Sequence, residues 1–386
     1  MDHILPNPAS RRPLSKALPP IVLGTATFNH QYNSDPHSLA TTAIVHKALR
    51  YGIRAFDTSP YYGPAETLLG EALNSQSFVP RSDYILQSKC GRIRADEFDY
   101  SPEWIRQSIQ NSLQRLGTEY LDVVFCHDVE FVKPHEVITA VRTLRELRDQ
   151  GLIRYVGISG YPTDVLASLA KEVKELTGEP LDAVMSYAHY TLQNTVLFSK
   201  ALGKLVDAGV DCVLNGSPLG MGLLRRQGVP VGGMGDFHPA PKALRNRCIE
   251  ASDVVEKYGQ EGERLETLAL RFSIEGWMKD GAVAGTTVKP LLGDPAASSS
   301  PRTVQVARPR LGVTVAGVSY MNEMDELAAI WRDVITASER EFLYQKVIGA
   351  FGDEWKDYSW PSPGEGYVRS SGHEEPEDES LLKSRL

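Results

Sequence analysis

The chain has 386 residues and a formal net charge of −8 at pH 7, which argues against nucleic acid as a partner because phosphate binding requires a basic surface. Apolar residues make up 42% of it and charged residues 23%, a balance typical of a globular protein whose core needs no disulfide or metal. Residues 1–20 form a polar extension without the apolar core of a signal peptide, and no apolar run is long enough to cross a membrane, so a cytoplasmic protein is expected.

The four cysteines are far apart in the sequence and include no CxxC pair. They are Cys90, Cys126, Cys212 and Cys248, and their spacing is typical neither of a zinc site nor of a disulfide framework. Three of them lie in or beside predicted strands, where a buried, reduced thiol is expected. The sequence therefore predicts no metal site and a reducing compartment.

Eight short, mostly apolar segments are predicted to be β-strands. They are Ile21–Gly24, Arg54–Thr58, Tyr84–Lys89, Leu121–His127, Ile153–Ser159, Ala183–Tyr190, Asp211–Ser217 and Val313–Ser319. Amphipathic segments separate them. One begins at Pro102 after Ser101, which suits a helix N-cap, and another ends at Gly151, a helix-stop signal. This alternation predicts a parallel sheet in the α/β class.

Two architectures can hold such a sheet. A closed (β/α)8 TIM barrel over residues 21–350 is favoured, because its functional sites lie at the carboxyl ends of the strands and ionisable residues end consecutive strands here. An open doubly wound sheet is disfavoured, because no GxGxxG motif follows the first strand.

Two segments interrupt the alternation of strands and helices. Residues 286–310 are rich in Pro, Ser and Gly, and we expect them to form a flexible inserted loop before the last strand. Residues 351–386 are polar, with an acidic run at 374–379, and we expect this C-terminal tail to be disordered.

Four ionisable residues lie at or just after the ends of the second, third and fourth strands. Asp57 ends the second strand, Tyr62 follows five residues later, and Lys89 and His127 end the next two strands. In a barrel these side chains would meet at one mouth. An ammonium beside a phenol lowers the phenol pKa from about 10, so Lys89 next to Tyr62 would create an acid–base group.

The four residues, followed by Gly63, Glu66 and the run Gly70–Leu73, resemble the catalytic tetrad of the aldo-keto reductase superfamily. That superfamily is built on a (β/α)8 barrel and works with a nicotinamide cofactor. The resemblance implies that the tyrosine transfers the proton, that the aspartate orients the lysine, and that the histidine binds the substrate oxygen.

The resemblance also implies cofactor-binding residues at the ends of the fifth to eighth strands. They are Ser159, Tyr187, Ser217, Leu219, Gly317, Ser319 and Glu323. Three positions depart from the family pattern, with Gly160 in place of an asparagine, Tyr187 in place of a glutamine, and Gly216 in place of an aromatic residue that often stacks on nicotinamide. Tyr187 either takes over part of that stacking contact or belongs to the barrel core.

The segment after the last strand distinguishes between the two nicotinamide cofactors. Members of the superfamily that use NADP usually carry Lys or Arg here, whereas this chain has none between Ser319 and Arg332. Glu323 and Glu326 would repel a 2′-phosphate and could accept hydrogen bonds from a free ribose. The sequence therefore favours NAD.

Residues 186–190 and 217–224 resemble the branch of the superfamily that contains plant L-galactose dehydrogenases and fungal D-arabinose 1-dehydrogenases. The resemblance implies oxidation of an aldose at C1 to the aldonolactone, in ascorbate or erythroascorbate synthesis. His189 is expected either to contact sugar hydroxyls or to make a hydrogen bond within its own loop. The alternatives are a broad NADPH-dependent carbonyl reductase and a nucleotide-binding subunit without turnover. The sequence defines neither the individual aldose nor the oligomeric state.

Overall fold

The computed structural model describes residues 11–290, 310–336 and 340–370 of the chain. Its eight strands form a closed, all-parallel barrel in chain order, in which β8 pairs with β1. The strands are β1 Ile21–Gly24, β2 Ala55–Asp57, β3 Ile85–Cys90, β4 Leu121–His127, β5 Ile153–Gly160, β6 Ala183–Tyr187, β7 Cys212–Gly216 and β8 Val313–Gly317. The predicted (β/α)8 barrel is confirmed, and each predicted strand is present within three residues of its expected ends.

Helices surround the barrel and connect its strands. Those described are α1 Thr41–Arg50, α2 Ala65–Asn74, α3 Pro102–Leu116, α4 Pro134–Asp149, α5 Thr163–Thr177, α6 Leu202–Asp207, α7 Lys242–Tyr258, α8 Leu265–Asp280, α9 Met321–Thr336 and α10 Glu341–Trp355. Helix α3 begins as predicted, because the Ser101 hydroxyl accepts a hydrogen bond from the Trp104 amide at 3.3 Å. It ends at Gly117, which adopts φ 61°, a conformation that favours glycine.

The described part of the N-terminal extension, residues 11–20, closes the bottom of the barrel, where the strands begin. Leu14 and Leu18 are fully buried and pack against the side chains that fill the barrel interior. The Ser15 amide donates to Asp211 Oδ2 at 2.8 Å, and the Thr286 hydroxyl donates to the Leu18 carbonyl. These contacts seal the end of the barrel opposite the mouth where the strands terminate.

The beginning of the predicted C-terminal tail is ordered, in contrast to our expectation. Helix α10 extends to Trp355, and residues 356–370, here called the C-terminal strap, lie across loops that follow β3 to β6. Trp360 is buried and stacks on Tyr161 at a ring-centroid distance of 4.6 Å, and Arg369 pairs with Glu136 at 2.8 Å. Because Trp360 buries a large apolar surface, it holds a segment whose average composition is polar. The acidic run at 374–379 and most of the predicted insertion lie outside the described residues.

Two further expectations concern the state of the cysteines and the presence of membrane-spanning helices. All four cysteines are buried free thiols, and three of them lie in β3, β4 and β7. Within the described ranges, no helix is both long and apolar enough to cross a membrane.

Candidate active site

The structure brings the four predicted catalytic residues together at the mouth of the barrel. Lys89 Nζ lies 2.6 Å from Asp57 Oδ2, donates to the Thr58 carbonyl at 3.0 Å, and sits 4.8 Å from the centre of the Tyr62 ring. The rings of Tyr62 and His127 meet edge to face at 5.6 Å. A proton donor or acceptor, a cation and a second hydrogen-bonding ring therefore converge on one point.

Buried polar contacts fix the loop that carries Tyr62. The Tyr62 amide donates to the Ser59 carbonyl at 3.0 Å, forming a tight turn after β2. Glu66, fully buried at the start of α2, accepts hydrogen bonds from the Ser88 hydroxyl at 2.6 Å and from Arg115 Nε at 2.7 Å. Because Ser88 precedes Lys89, this carboxylate ties the tyrosine loop to the strand that carries the lysine.

The protonation of Tyr62 differs from our expectation. Burial raises the pKa of Tyr62 well above its usual value, and the carboxylates of Asp57 and Asp128 raise it further. Lys89 does not bring the pKa of Tyr62 below its usual value as expected, because burial dominates and the ammonium is paired with Asp57. At neutral pH Tyr62 is therefore a neutral phenol, suited to donate a proton, and it accepts a proton more readily as the pH rises.

His127 is held as a neutral ring. Burial lowers the pKa of His127 to about 3. The Ser59 hydroxyl lies 3.0 Å from Nδ1, and Asp128 Oδ2 lies 3.5 Å from Nε2. A carboxylate beside Nε2 favours the tautomer with the proton on that nitrogen, so Nε2 can donate to a substrate oxygen.

Three further residues of this mouth, Ser59, Arg92 and Asp128, were not predicted from the sequence. The Arg92 guanidinium pairs with Asp128 and lies 3.9 Å from the centre of the Tyr61 ring. All three residues lie within three positions of a predicted tetrad member, and this proximity to the ends of β2, β3 and β4 was the only sequence signal that could have found them. Their roles depend on side-chain directions in loops, which spacing alone does not reveal.

The residues predicted at the ends of β5, β6 and β7 lie at the same mouth. The Ser159 hydroxyl donates to the Cys126 carbonyl at 3.3 Å, which leaves its oxygen able to accept a further bond. Tyr187 is partly exposed and packs against Tyr161 at 5.4 Å in a cluster outside the barrel interior. Ser217 adopts φ 51° at the turn after β7, and Leu219 packs partly buried behind that turn.

The loop after β8 is shaped by close backbone contacts. A Cβ atom on Gly317 would come within 2.9 Å of the Thr27 methyl group, and the Thr27 hydroxyl donates to the Val318 carbonyl at 2.6 Å. The Ser319 hydroxyl accepts from Asn33 Nδ2 at 3.3 Å. Glycine is therefore needed where this loop meets the one after β1, and the loop forms a narrow backbone cradle.

Glu323 has partners in the structure that the sequence did not predict. Its Oε2 atom accepts hydrogen bonds from the Ser319 amide at 2.6 Å and the Tyr320 amide at 3.3 Å, at the start of α9. These two amides therefore already bind a carboxylate. Glu326, which was expected to repel a 2′-phosphate, is paired with Arg264 at 2.5 Å.

His189 does not lie where a sugar could reach it. Its ring is 1% exposed and is covered by Tyr161 at 4.1 Å. The Ser186 hydroxyl lies 3.2 Å from Nδ1 and the Ser359 hydroxyl of the C-terminal strap lies 3.1 Å from Nε2. Since both ring nitrogens have partners, the expected substrate contact is replaced by the alternative, a hydrogen bond within its own loop.

In the parts of the chain that the structure describes, no group of three His, Cys, Asp or Glu side chains could hold a metal ion.

The sequence of the chain is similar to those of two characterised dehydrogenases. The chain is 42% identical to a D-arabinose 1-dehydrogenase of Saccharomyces cerevisiae over 268 residues, which are 68% of this chain and 77% of the yeast protein. It is 38% identical to an L-galactose dehydrogenase of Arabidopsis thaliana over 235 residues, which are 60% of this chain and 69% of the plant protein.

A solved structure shares the fold at lower sequence identity. A glycerol dehydrogenase of Gluconobacter oxydans superposes with a TM-score of 0.56 at 19% identity, over 89% of this chain and 94% of that one. The profile of the Aldo/keto reductase family matches residues 20–345, which include the whole barrel. The chain therefore belongs to the aldo/keto reductase family of oxidoreductases, which work with a nicotinamide cofactor.

Proposed function

We propose that this protein oxidises the C1 hydroxyl of an aldose to the aldonolactone with NAD. The sugar is D-arabinose or a relative such as L-galactose or L-fucose, and the lactone would feed ascorbate or erythroascorbate synthesis. The observation that carries the proposal is the meeting of Tyr62 and His127 at 5.6 Å in front of the Lys89–Asp57 pair. The names of the yeast and plant relatives support the substrate class.

Each residue of the site has a distinct task in this reaction. The His127 Nε2 proton holds the reacting oxygen, and the Tyr62 oxygen accepts the hydroxyl proton. Asp57 keeps the Lys89 ammonium beside the Tyr62 ring, where its charge stabilises the phenolate. When bound, the oxidised nicotinamide supplies the acceptor for the hydride that leaves C1.

The residues at the ends of β5 to β8 fit a dinucleotide. Ser159 has a free acceptor and Tyr187 a partly exposed ring, and we assign both to the nicotinamide end. The turn at Ser217 and Leu219 would hold the pyrophosphate. The cradle at Gly317 and Ser319, where a side chain on the glycine would collide with Thr27, would hold the adenosine end.

The direct test is a panel of pentoses and hexoses with NAD and NADP, followed through the absorbance of the reduced nicotinamide. Turnover of D-arabinose, L-galactose or L-fucose with NAD is expected. Turnover only of simple aldehydes with NADPH would favour the broad carbonyl reductase. Tight nucleotide binding without turnover of any substrate would favour the non-catalytic subunit.

The cofactor preference depends on Glu323. Replacing Glu323 with lysine is expected to improve NADP binding by about 1–3 kcal/mol, because a cation would replace a carboxylate where the 2′-phosphate would lie. The same change removes the acceptor at the start of α9, so a loss of about 1 kcal/mol in the free energy of unfolding is also expected. Dissociation constants for NAD and NADP, measured by fluorescence titration, check the first effect, and thermal denaturation checks the second.

Glu323→Gln is the matched control, because it retains an acceptor for the two amides but removes the negative charge. It should improve NADP binding less than the lysine variant does. Equal catalytic efficiency of the wild-type protein with NAD and NADP would contradict the proposed preference.

The product is expected to be a lactone, formed from the cyclic sugar. The anomeric hydroxyl of a pyranose can reach both Tyr62 and His127 without ring opening, and oxidation of C1 in the ring gives a lactone without water. Early trapping with hydroxylamine at mildly acidic pH should yield the hydroxamate during D-arabinose oxidation. Free acid as the initial product would show that the ring form is not the substrate.

A further inference from the structure

A cavity of about 610 Å³ lies at the bottom of the barrel, on the side opposite the catalytic mouth. Its walls come from the residues that lead into β2 and β3, from the start of β5, from the N-terminal extension and from residues 288–289. Because β3 is six residues long, the cavity lies roughly 20 Å from the mouth where that strand ends. Its volume falls within the range of roughly 300–1,000 Å³ that is typical of small-molecule sites.

The walls of this cavity carry an excess of positive charge. Among the described residues, one acidic side chain, Asp83, and six basic side chains line it. The basic residues are Arg11, Arg12, Arg54, Arg148, Arg154 and Lys289. The whole chain, in contrast, has a formal net charge of −8 at pH 7. The cations are therefore concentrated at this cavity, and an anion is the ligand that they would attract.

Half of these cations are already neutralised by carboxylates that do not line the cavity. The pairs are Arg11 with Asp182 at 2.7 Å, Arg148 with Glu179 at 2.5 Å and Arg154 with Asp122 at 2.9 Å. Within the described ranges, Arg12, Arg54 and Lys289 have no carboxylate partner at ion-pair distance. The excess of positive charge that a ligand would meet therefore comes from these three residues.

Two of the three unpaired cations belong to segments that the structure holds in place. The Arg54 guanidinium donates from Nη1 to the Leu49 carbonyl at 2.5 Å, and its Nε and Nη2 atoms have no partner among the described residues. The Tyr155 hydroxyl donates to the Arg12 carbonyl at 2.7 Å, while the Arg12 side chain is exposed. Burial lowers the pKa of Arg54, and the charge of Asp83 only partly offsets this effect. A partly buried cation without a paired carboxylate is destabilising, and a bound anion would relieve that strain.

We propose that this cavity binds a phosphorylated organic molecule whose phosphate groups contact Arg12, Arg54 and Lys289. Guanidinium groups bind phosphate oxygens through paired, charge-assisted hydrogen bonds, and one phosphate has enough charge and acceptors to meet more than one cation. Ile85 and Val288 also line the cavity and are partly exposed, so an organic ligand would cover apolar surface that an inorganic ion leaves open to water. The site is separate from the catalytic mouth, and the inference does not depend on the proposed function.

The probe for this site is ATP without magnesium, titrated by isothermal calorimetry at fixed ionic strength. Saturating NAD is present, because it keeps ATP out of the nucleotide site proposed at the mouth. One further saturable site is expected. Arg12→Gln and Lys289→Gln each remove one exposed charge, and each should weaken ATP binding at this site by about 10-fold, as expected when one charge-assisted contact is lost. ATP bound at the mouth instead would be insensitive to both changes, and that result would contradict the proposal.

Lys16→Gln is the matched control, because Lys16 is an exposed cation on the same N-terminal extension that does not line the cavity. It should leave the affinity for ATP unchanged, and thermal denaturation shows whether each variant is folded. If all three variants weaken ATP binding equally, the effect is one of overall charge and the site is overturned. The absence of saturable ATP binding in the presence of NAD would overturn it as well.

Adenosine tests whether the phosphate groups are the part of the ligand that is recognised. It shares the base and sugar of ATP but has no phosphate, so it should bind this site at least about 10-fold more weakly than ATP does. Equal affinities for adenosine and ATP would mean that the cations of the cavity do not bind phosphate, and the proposed ligand class would be wrong.

Discussion

Replacing Tyr62 with phenylalanine is expected to lower kcat for aldose oxidation by about 10²-fold or more, with the fold and nucleotide binding retained. The change removes only the hydroxyl that exchanges a proton with the substrate. The ring, which packs against His127 and lies 4.8 Å from Lys89 Nζ, is kept. Steady-state rates with D-arabinose, together with a fluorescence titration of the nucleotide, measure the two properties separately.

The neighbouring tyrosine offers a matched control for this variant. Tyr61→Phe removes a hydroxyl from the same turn, where its partner is Gln31 Nε2 at 3.5 Å, and retains the ring that supports Arg92. It should therefore lower kcat far less than Tyr62→Phe does. A Tyr62→Phe protein with near-normal turnover would exclude Tyr62 as the proton-transfer group.

The barrel and the positions of the tetrad could be predicted because each depends on local sequence patterns. Short apolar strands alternating with amphipathic helices define the parallel barrel. In a barrel, the carboxyl ends of the strands share one mouth, so Asp57 and His127 at strand ends had to come close. The cofactor-binding roles of the later strand ends stay predictions.

What could not be predicted depends on contacts between distant loops. Spacing placed His189 near the mouth, but whether a sugar can reach it depends on Tyr161 and on Ser359 of the C-terminal strap, 170 residues away. Average composition likewise described the strap as polar and missed that Trp360 stacks on Tyr161. Asp128 next to His127 adopts a left-handed backbone, with φ 57°, that no residue pattern specified.

Replacing Lys89 with methionine is expected to lower kcat for aldose oxidation by about 10²-fold or more and to shift the pH profile of kcat/KM to higher pH. Oxidation requires Tyr62 to accept a proton, so the rate rises with pH until the Tyr62 pKa is passed. That pKa is already raised by burial and by Asp57. Without the ammonium that lies 4.8 Å from its ring, the Tyr62 phenolate loses the cation that stabilises it, and the pKa rises further.

Removing the charge of the other member of the pair, Asp57, should shift the pH profile of kcat/KM in the opposite direction. Asp57→Asn removes the carboxylate that raises the Tyr62 pKa, while Lys89 keeps its bond to the Thr58 carbonyl, so the profile should move to lower pH. Loss of packing alone cannot produce shifts in two directions.

Lys89→Met also leaves Asp57 buried without its cation, and a loss of about 3–5 kcal/mol in the free energy of unfolding is expected. Rates must therefore be measured well below the unfolding temperature of each variant. If the pH profile of kcat/KM shifts in the same direction in Lys89→Met and Asp57→Asn, or does not shift, the pair holds the barrel mouth together without tuning the proton transfer of Tyr62.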